Sequence, residues 1–188
     1  MRNKWKTCLT CALLLLTACT VEEPVIDEVV TEEIIIPVEV VVVEEPVEES
    51  VPVRDDIPLD ADTQLLLYQA CNETGVPCEV AIAVVWKETN FRNINGDGGK
   101  SIGYMQVQPR WHSERMERLG VTDLADPYGN FLVGCDYLAE LIRKDRGLEW
   151  ALHAYNGGPT YANKMAKAGE VSKYAESVLN YMNILGGN

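Results

Sequence analysis

From Pro127 to Lys144 apolar side chains recur at three- and four-residue steps, at Phe131, Leu132, Cys135, Leu138, Ala139 and Ile142. That spacing lays one apolar stripe along an α-helix, and the helix is stable only when other elements cover the stripe. No sustained period-two run is available to build a sheet over it, and Gly103–Val107 is the one stretch that allows a short strand. The cover must therefore come from other helices, and the punctuation supplies them. Asp62 or Thr63 caps a helix carrying Leu65, Leu66, Tyr68 and Gln69 that ends near Gly75; Pro77 opens a strongly apolar one through Val80, Ile82, Val84 and Val85. After a glycine-rich loop at Asn93–Gly99, helices are predicted near Ser113–Leu119, stopped by Gly120, and at Leu148–Tyr155, Tyr161–Ala168 and Val171–Ile184. Residues 59–188 thus read as one mainly α domain of the size that encloses a single core.

What precedes residue 59 is of a different kind. Residues 1–19 carry three basic and no acidic groups, residues 20–58 one basic group, Arg54, and thirteen acidic ones, and residues 59–188 twelve basic and sixteen acidic. Nearly all of the net charge of −13 therefore sits in the middle segment. The remaining domain lacks the basic face that phosphate binding demands, which excludes nucleic acid as a partner. Residues 1–18 combine Arg2, Lys4 and Lys6 with an apolar run too short to cross a bilayer, the build of a secretory signal peptide. Its end, Leu16-Thr17-Ala18-Cys19, resembles the lipobox of bacterial lipoproteins. The resemblance implies cleavage before Cys19 and acylation of that cysteine, which would hold the mature protein on a membrane through its N-terminal lipid.

Residues 20–58 repeat Glu, Val and Pro, with Glu-Glu-Pro-Val at 22–25 and again at 44–47. Self-repulsion and proline make residues 19–58 a disordered acidic tether, with a reach of about 100 Å if it runs as polyproline-like chain. Ile34–Val43 is rich in β-branched residues and is the part most able to pair, although Pro37 and Glu39 interrupt it.

Several side chains in the domain are candidates for chemistry. Glu88 lies near the end of the most apolar helix, three residues after Val85 and three before Phe91. An apolar wall and the negative end of a helix both disfavour a carboxylate, so its pKa should rise toward the value a general acid needs. The alternative is a solvated glutamate at a helix end. Asn93-Ile94-Asn95-Gly96-Asp97-Gly98 starts like a calcium loop, but position twelve is Tyr104 where a bidentate Glu belongs, so a turn in which Asp97 bonds its own backbone explains it better. With two histidines and no zinc spacing, no metal is predicted. Met105 and Tyr155 read equally as core residues, while Gln106, Tyr155 and Asn156 offer the amide and hydroxyl groups beside aromatic surface that a saccharide cleft uses.

Four blocks then stand in order: Glu88-Thr89-Asn90-Phe91, Ser101-Ile102-Gly103-Tyr104-Met105-Gln106-Val107-Gln108-Pro109, Ala154-Tyr155-Asn156-Gly157-Gly158-Pro159, and Tyr174. In order and spacing they resemble the catalytic domain of the soluble lytic transglycosylases, a lysozyme-like helical fold related to goose-type lysozyme, over roughly residues 60–185. The resemblance implies cleavage of peptidoglycan glycan strands between N-acetylmuramic acid and N-acetylglucosamine, with 1,6-anhydro products and no cofactor. It implies that Glu88 is the sole catalytic acid/base, and that Ser101, Met105, Gln106, Tyr155, Asn156 and Tyr174 line or support the sugar cleft. Three positions depart from the family pattern: Thr89 replaces serine, Tyr104 leucine and Gly157 alanine. Thr89 keeps a hydroxyl and Gly157 only loosens a turn, whereas Tyr104 is expected to add bulk and a polar tip near the cleft.

Two rivals share this sequence. A hydrolytic muramidase on the same fold needs a second carboxylate, for which Asp97 is the candidate. A glycan-binding envelope protein without activity predicts no glutamate in the first block, where Glu88 stands. Cys71 and Cys78 flank the Gly75–Pro77 turn and are positioned in sequence to bridge, while Cys135 makes the domain's count odd.

Overall fold

The computed structural model describes residues 53–186. The signal segment 1–18, Cys19 and the tether as far as residue 52, Ile34–Val43 included, lie outside the described residues. Among the described residues six helices follow one another: α1 (Ala61–Thr74), α2 (Cys78–Thr89), α3 (Pro109–Leu119), α4 (Pro127–Ile142), α5 (Leu148–Ala168) and α6 (Lys173–Gly186).

The stripe on α4 explains the arrangement. This helix packs against α1, α3 and α5, and its first half, Gly129–Cys135, is buried on every side. It is therefore the central helix and not a surface one, with Phe131, Val133, Cys135 and Leu138 at 0% exposure. Around it α2 pairs with α6 and α1, and α5 with α6. The α2–α6 contact includes Trp86 stacked on Tyr181, with ring centroids 4.3 Å apart, and it brings the end of α2 against the start of α6, where Glu88 meets Tyr174. A smaller apolar cluster of Leu141, Trp150, Ala151, Ala154 and Ala162 joins α4 to α5.

Several boundaries differ from the sequence reading, each for a local reason. The cap of α1 is Asp60, whose Oδ1 accepts from the Thr63 amide at 2.9 Å while Oδ2 accepts the Thr63 hydroxyl, so Asp62 and Thr63 lie inside the helix. Helix α3 starts at Pro109, four residues before Ser113, because proline fits the first helical position, and it bends at His112 (φ −126°). Helix α4 stops at Ile142, two residues short of Lys144. The two helices expected at 148–155 and 161–168 run on as α5, broken only at Gly158 (φ 80°, ψ 165°) ahead of Pro159, which has no N–H to continue the ladder. The strand allowed at Gly103–Val107 does not form. Gly103 and Gln106 both have positive φ, and the segment closes as a turn with single bridges from Ile102 to Val107 and from Gly96 to Ser101.

The domain also begins earlier than residue 59. Ile57 is only 3% exposed and belongs to the core. The buried amide of Gln64 accepts from the Arg54 N–H at 2.9 Å and donates to the carbonyls of Arg54, Ile57 and Leu59 at 2.9–3.3 Å. Arg54 in turn donates to the Leu185 carbonyl at 3.2 Å, strapping the segment across the end of α6. Residues 54–58 are thus part of the folded unit, since one buried amide gathers their backbone groups. Cys71, Cys78 and Cys135 are all free thiols.

Candidate active site

Glu88 sits one residue before the end of α2, whose Val80–Val85 run anchors it in the core. The helix end is held by Thr89, whose hydroxyl donates to the Tyr104 carbonyl at 3.0 Å and accepts from the Arg92 amide at 3.3 Å. The hydroxyl kept by this departure from serine therefore ties α2 to the following loop. The Glu88 carboxyl is half-buried, and its Oε1 accepts a hydrogen bond from the Tyr174 hydroxyl at 2.6 Å. Burial pushes its pKa up from 4.5 to about 7; the Tyr174 hydrogen bond and the Lys87 charge pull it down, and the charge of Asp97 adds to the rise. Desolvation leads this shift, ahead of any charge.

Facing Glu88 is a cleft of about 910 Å³. Its walls include Asp97, Ser101, Gln106, Tyr155 and Asn156 with Gly157–Thr160, and on the α3 side Arg110, Trp111, His112 and Arg115. Asp97 does not bond its own backbone as the turn reading predicted. Its Oδ2 accepts from the Ser101 hydroxyl at 2.7 Å and from Gln108 Nε2 at 3.3 Å, and Gln108 also donates to Ser101 at 3.0 Å. Ser101, 3% exposed, is the hub of this trio.

The other expected site residues fall into two groups. Gln106 lines the cleft, but its amide N–H groups donate to the carbonyls of Ile94 and Gly103, both at 2.8 Å, so it also shapes the loop. Tyr155 presents ring surface, because its hydroxyl donates to the Met105 carbonyl at 2.9 Å. Asn156 is exposed on the lip. Tyr174 does not line the cleft; it is 9% exposed and acts on Glu88 from behind. Met105 is the clear correction, since its side chain is 0% exposed with its sulfur 3.9 Å from Cys135 Sγ, which makes it core and leaves only its carbonyl to serve the site. Tyr104 is the second: it stacks on Phe131 with centroids 4.9 Å apart and adds nothing to the cleft wall. The apolar face of α4 draws that ring inward. Gly157 is also more than a loosened turn, because a Cβ there would meet Tyr161 Cδ1 at 2.4 Å.

Sequence reasoning missed Asn130, which holds the second block in place. It is fully buried in α4, accepts from the Met105 amide at 2.8 Å, and donates to the carbonyls of Ile102 and Leu124 at 2.8 and 3.0 Å. Its only sequence signal is a lone polar residue inside an apolar stripe. His112 was missed as well. Its ring packs on Tyr137 at 4.6 Å, and burial together with the Arg115 charge lowers its pKa to about 4, so it is neutral at neutral pH. Among the described residues no three His, Cys, Asp or Glu side chains are grouped to hold a metal ion.

The sequence pattern described as the transglycosylase SLT domain matches residues 66–177, more than half of the chain, and takes in Glu88, the loop, the α5 block and Tyr174. The chain belongs to the transglycosylase SLT domain family. A transglycosylase of Enterobacteria phage PRD1 is 34% identical over 99 residues, covering 53% of this chain and 34% of the phage protein. Two solved structures are similar in fold. An inactive glutamate-to-glutamine mutant of the lytic transglycosylase Slt from Pseudomonas aeruginosa has a TM-score of 0.59 at 21% identity, over 70% of this chain and 24% of that one. The 70 kDa soluble lytic transglycosylase Slt70 from Escherichia coli has a TM-score of 0.55 at 20% identity, over 70% of this chain and 25% of that one. This SLT domain chain therefore spans about a third of the phage relative and about a quarter of the two solved chains, and over the matched part it shares the mainly α, lysozyme-like fold of the two solved structures.

Proposed function

We propose that this chain is a peptidoglycan lytic transglycosylase that cleaves the β-1,4 bond between N-acetylmuramic acid and N-acetylglucosamine and leaves 1,6-anhydro-N-acetylmuramic acid ends. The observation that carries the reading is Glu88, a carboxyl with a pKa of about 7 facing a saccharide-sized cleft. Neutral Glu88 protonates the glycosidic oxygen, and the bond to the anomeric carbon breaks as the N-acetylglucosamine hydroxyl leaves. The substrate's own acetamido oxygen stabilises the anomeric carbon. Glu88, now a carboxylate, then takes the proton of the C6 hydroxyl while that oxygen bonds the anomeric carbon, so Glu88 ends as it began and no water is consumed.

One specific feature favours a second reading, hydrolysis on the same fold. Asp97 lines the same cleft, where it is available to hold a water. Against this role, its carboxylate already accepts from Ser101 and Gln108. Mass analysis of products from purified peptidoglycan decides between them: anhydro products are lighter than hydrolytic ones by one water and lack a reducing end. Reducing-end products would overturn the lyase reading.

We also propose that the protein is exported and held on a bacterial membrane by an acylated Cys19, with residues 20–52 as the tether that lets the domain reach the wall. The basis is the basic start, the short apolar run and Leu16-Thr17-Ala18 before the cysteine. Cys19→Ala should release the protein from membranes; a variant that still sediments with them after a high-salt wash would overturn the anchor.

A further inference from the structure

The cleft has a rim that the chemistry above does not use. Trp111 is 70% exposed, more than any other large apolar side chain among the described residues, yet it lines the same cleft as Glu88. The guanidinium of Arg110 lies 4.6 Å from the centre of its ring, and most of the indole stays open to solvent even so. No carboxylate among the described residues pairs with Arg110, whereas Arg115 and Arg118 of the same helix are engaged by Asp136, and Arg115 by Glu140 as well.

The helix itself does not account for either residue. A cation in the first turn faces the positive end of the helix, which is unfavourable, and an indole in water loses the stabilisation its burial would bring. The start of their helix is anchored. Gln108, the residue just before α3, is held by Ser101 and Asp97, so the start of the helix is tied to the loop that faces Glu88. An open aromatic face beside an uncommitted guanidinium matches a ligand that has an apolar sugar face and a carboxylate close to each other.

We propose that Trp111 and Arg110 form a subsite for peptide-bearing N-acetylmuramic acid, the indole stacking on the sugar and the guanidinium pairing with a carboxylate of the stem peptide. The proposal rests on the reading that the cleft takes peptidoglycan. It makes the chain prefer peptide-substituted strands over strands stripped of peptide.

The test is calorimetric binding to the full chain carrying Glu88→Gln, using a tetrasaccharide with its stem peptides and the same tetrasaccharide after their enzymatic removal. Arg110→Ala should weaken the peptide-bearing ligand by roughly tenfold and leave the peptide-free one unchanged, with partial recovery in Arg110→Lys. Trp111→Ala should weaken both by roughly tenfold. An unchanged preference in Arg110→Ala, or unchanged affinities in Trp111→Ala, would overturn the subsite. The product analysis of the otherwise wild-type chain separates this from the activity: a preference that depends on Arg110 without any anhydro product sinks the catalytic reading alone, and anhydro product without such a preference sinks the subsite alone. Failure of both ligands to bind overturns the cleft reading together with the subsite.

Discussion

The hydroxyl of Tyr174 in α6 donates to Glu88 Oε1 at 2.6 Å across a sequence separation of 86 residues. Among the described residues it is the one hydrogen bond that reaches the Glu88 carboxyl from another helix, and it stabilises the charged form that burial disfavours. The two effects oppose each other, and burial prevails.

Removing that hydroxyl should therefore raise the pKa of Glu88 further. In Tyr174→Phe the alkaline limb of kcat/KM, where the general acid loses its proton, should move to higher pH, and the rate at neutral pH should fall by up to roughly tenfold because the carboxylate form is left without its partner. A pH–rate profile checks this. A limb that stays put or moves down would show that Tyr174 does not set the proton affinity of Glu88.

Glu88→Gln should lower activity by roughly 10² or more, since the amide keeps the shape but can neither give nor take the proton. The same variant has a stability signature. The folded-state pKa of about 7 lies above the ordinary 4.5, so the folded state holds the proton more tightly and stability falls as pH rises from about 4.5 to about 7. At pH 8 the glutamine protein should be more stable than the wild type by about 1–3 kcal/mol, and at pH 4 nearly equal to it. Denaturant unfolding at the two pH values measures the difference, and an equal difference at both would count against a perturbed Glu88.

Asn130→Ala should cost about 3 kcal/mol or more, because it leaves the Met105 amide and the carbonyls of Ile102 and Leu124 without partners in the core. Gly103→Ala attacks the same contact from the other side. A Cβ there would lie 2.3 Å from Asn130 Nδ2, at a residue whose φ of +74° already disfavours a side chain. Both variants should lose activity in step with stability, since the Met105 carbonyl that fastens Tyr155 moves with the loop. Thermal melts together with activity at a low temperature test the coupling; a fully stable Asn130→Ala protein would refute it.

A chain beginning at Leu59 should be less stable than one beginning at Val53 by about 2–3 kcal/mol, through loss of the buried Ile57 side chain and of the backbone partners of Gln64. Chemical denaturation of the two proteins compares them directly. Equal midpoints would place residues 53–58 with the tether after all.

The helices were legible because capping and periodicity are local. Phe131 to Ile142 announce a buried stripe, Pro127 and Gly120 mark helix ends, and the spacing of the four blocks points to the family. Errors clustered where a residue has no local signature. Asp60 takes the cap from Asp62 and Thr63 through the amide and hydroxyl of Thr63, and the positive φ of Gly103 and Gln106 turns a possible strand into a tight loop. Tyr104 and Met105 stand between cleft residues in sequence, but Met105 is buried in the core and Tyr104 packs half-buried on Phe131 of α4.

The sequence by itself determined that this chain folds as helices, because capping and periodicity are interactions among residues a few positions apart, and its four ordered blocks singled out Glu88 as the candidate carboxyl through their resemblance to a family. Only the tertiary structure decided how acidic that carboxyl is, which cleft side chains face a ligand, and that Ile57 belongs to the core. Those properties depend on desolvation and on partners such as Tyr174, Asn130 and Gln64, brought close by packing from distant or separate segments, and no spacing along the chain encodes a field or a hydrogen bond of that range.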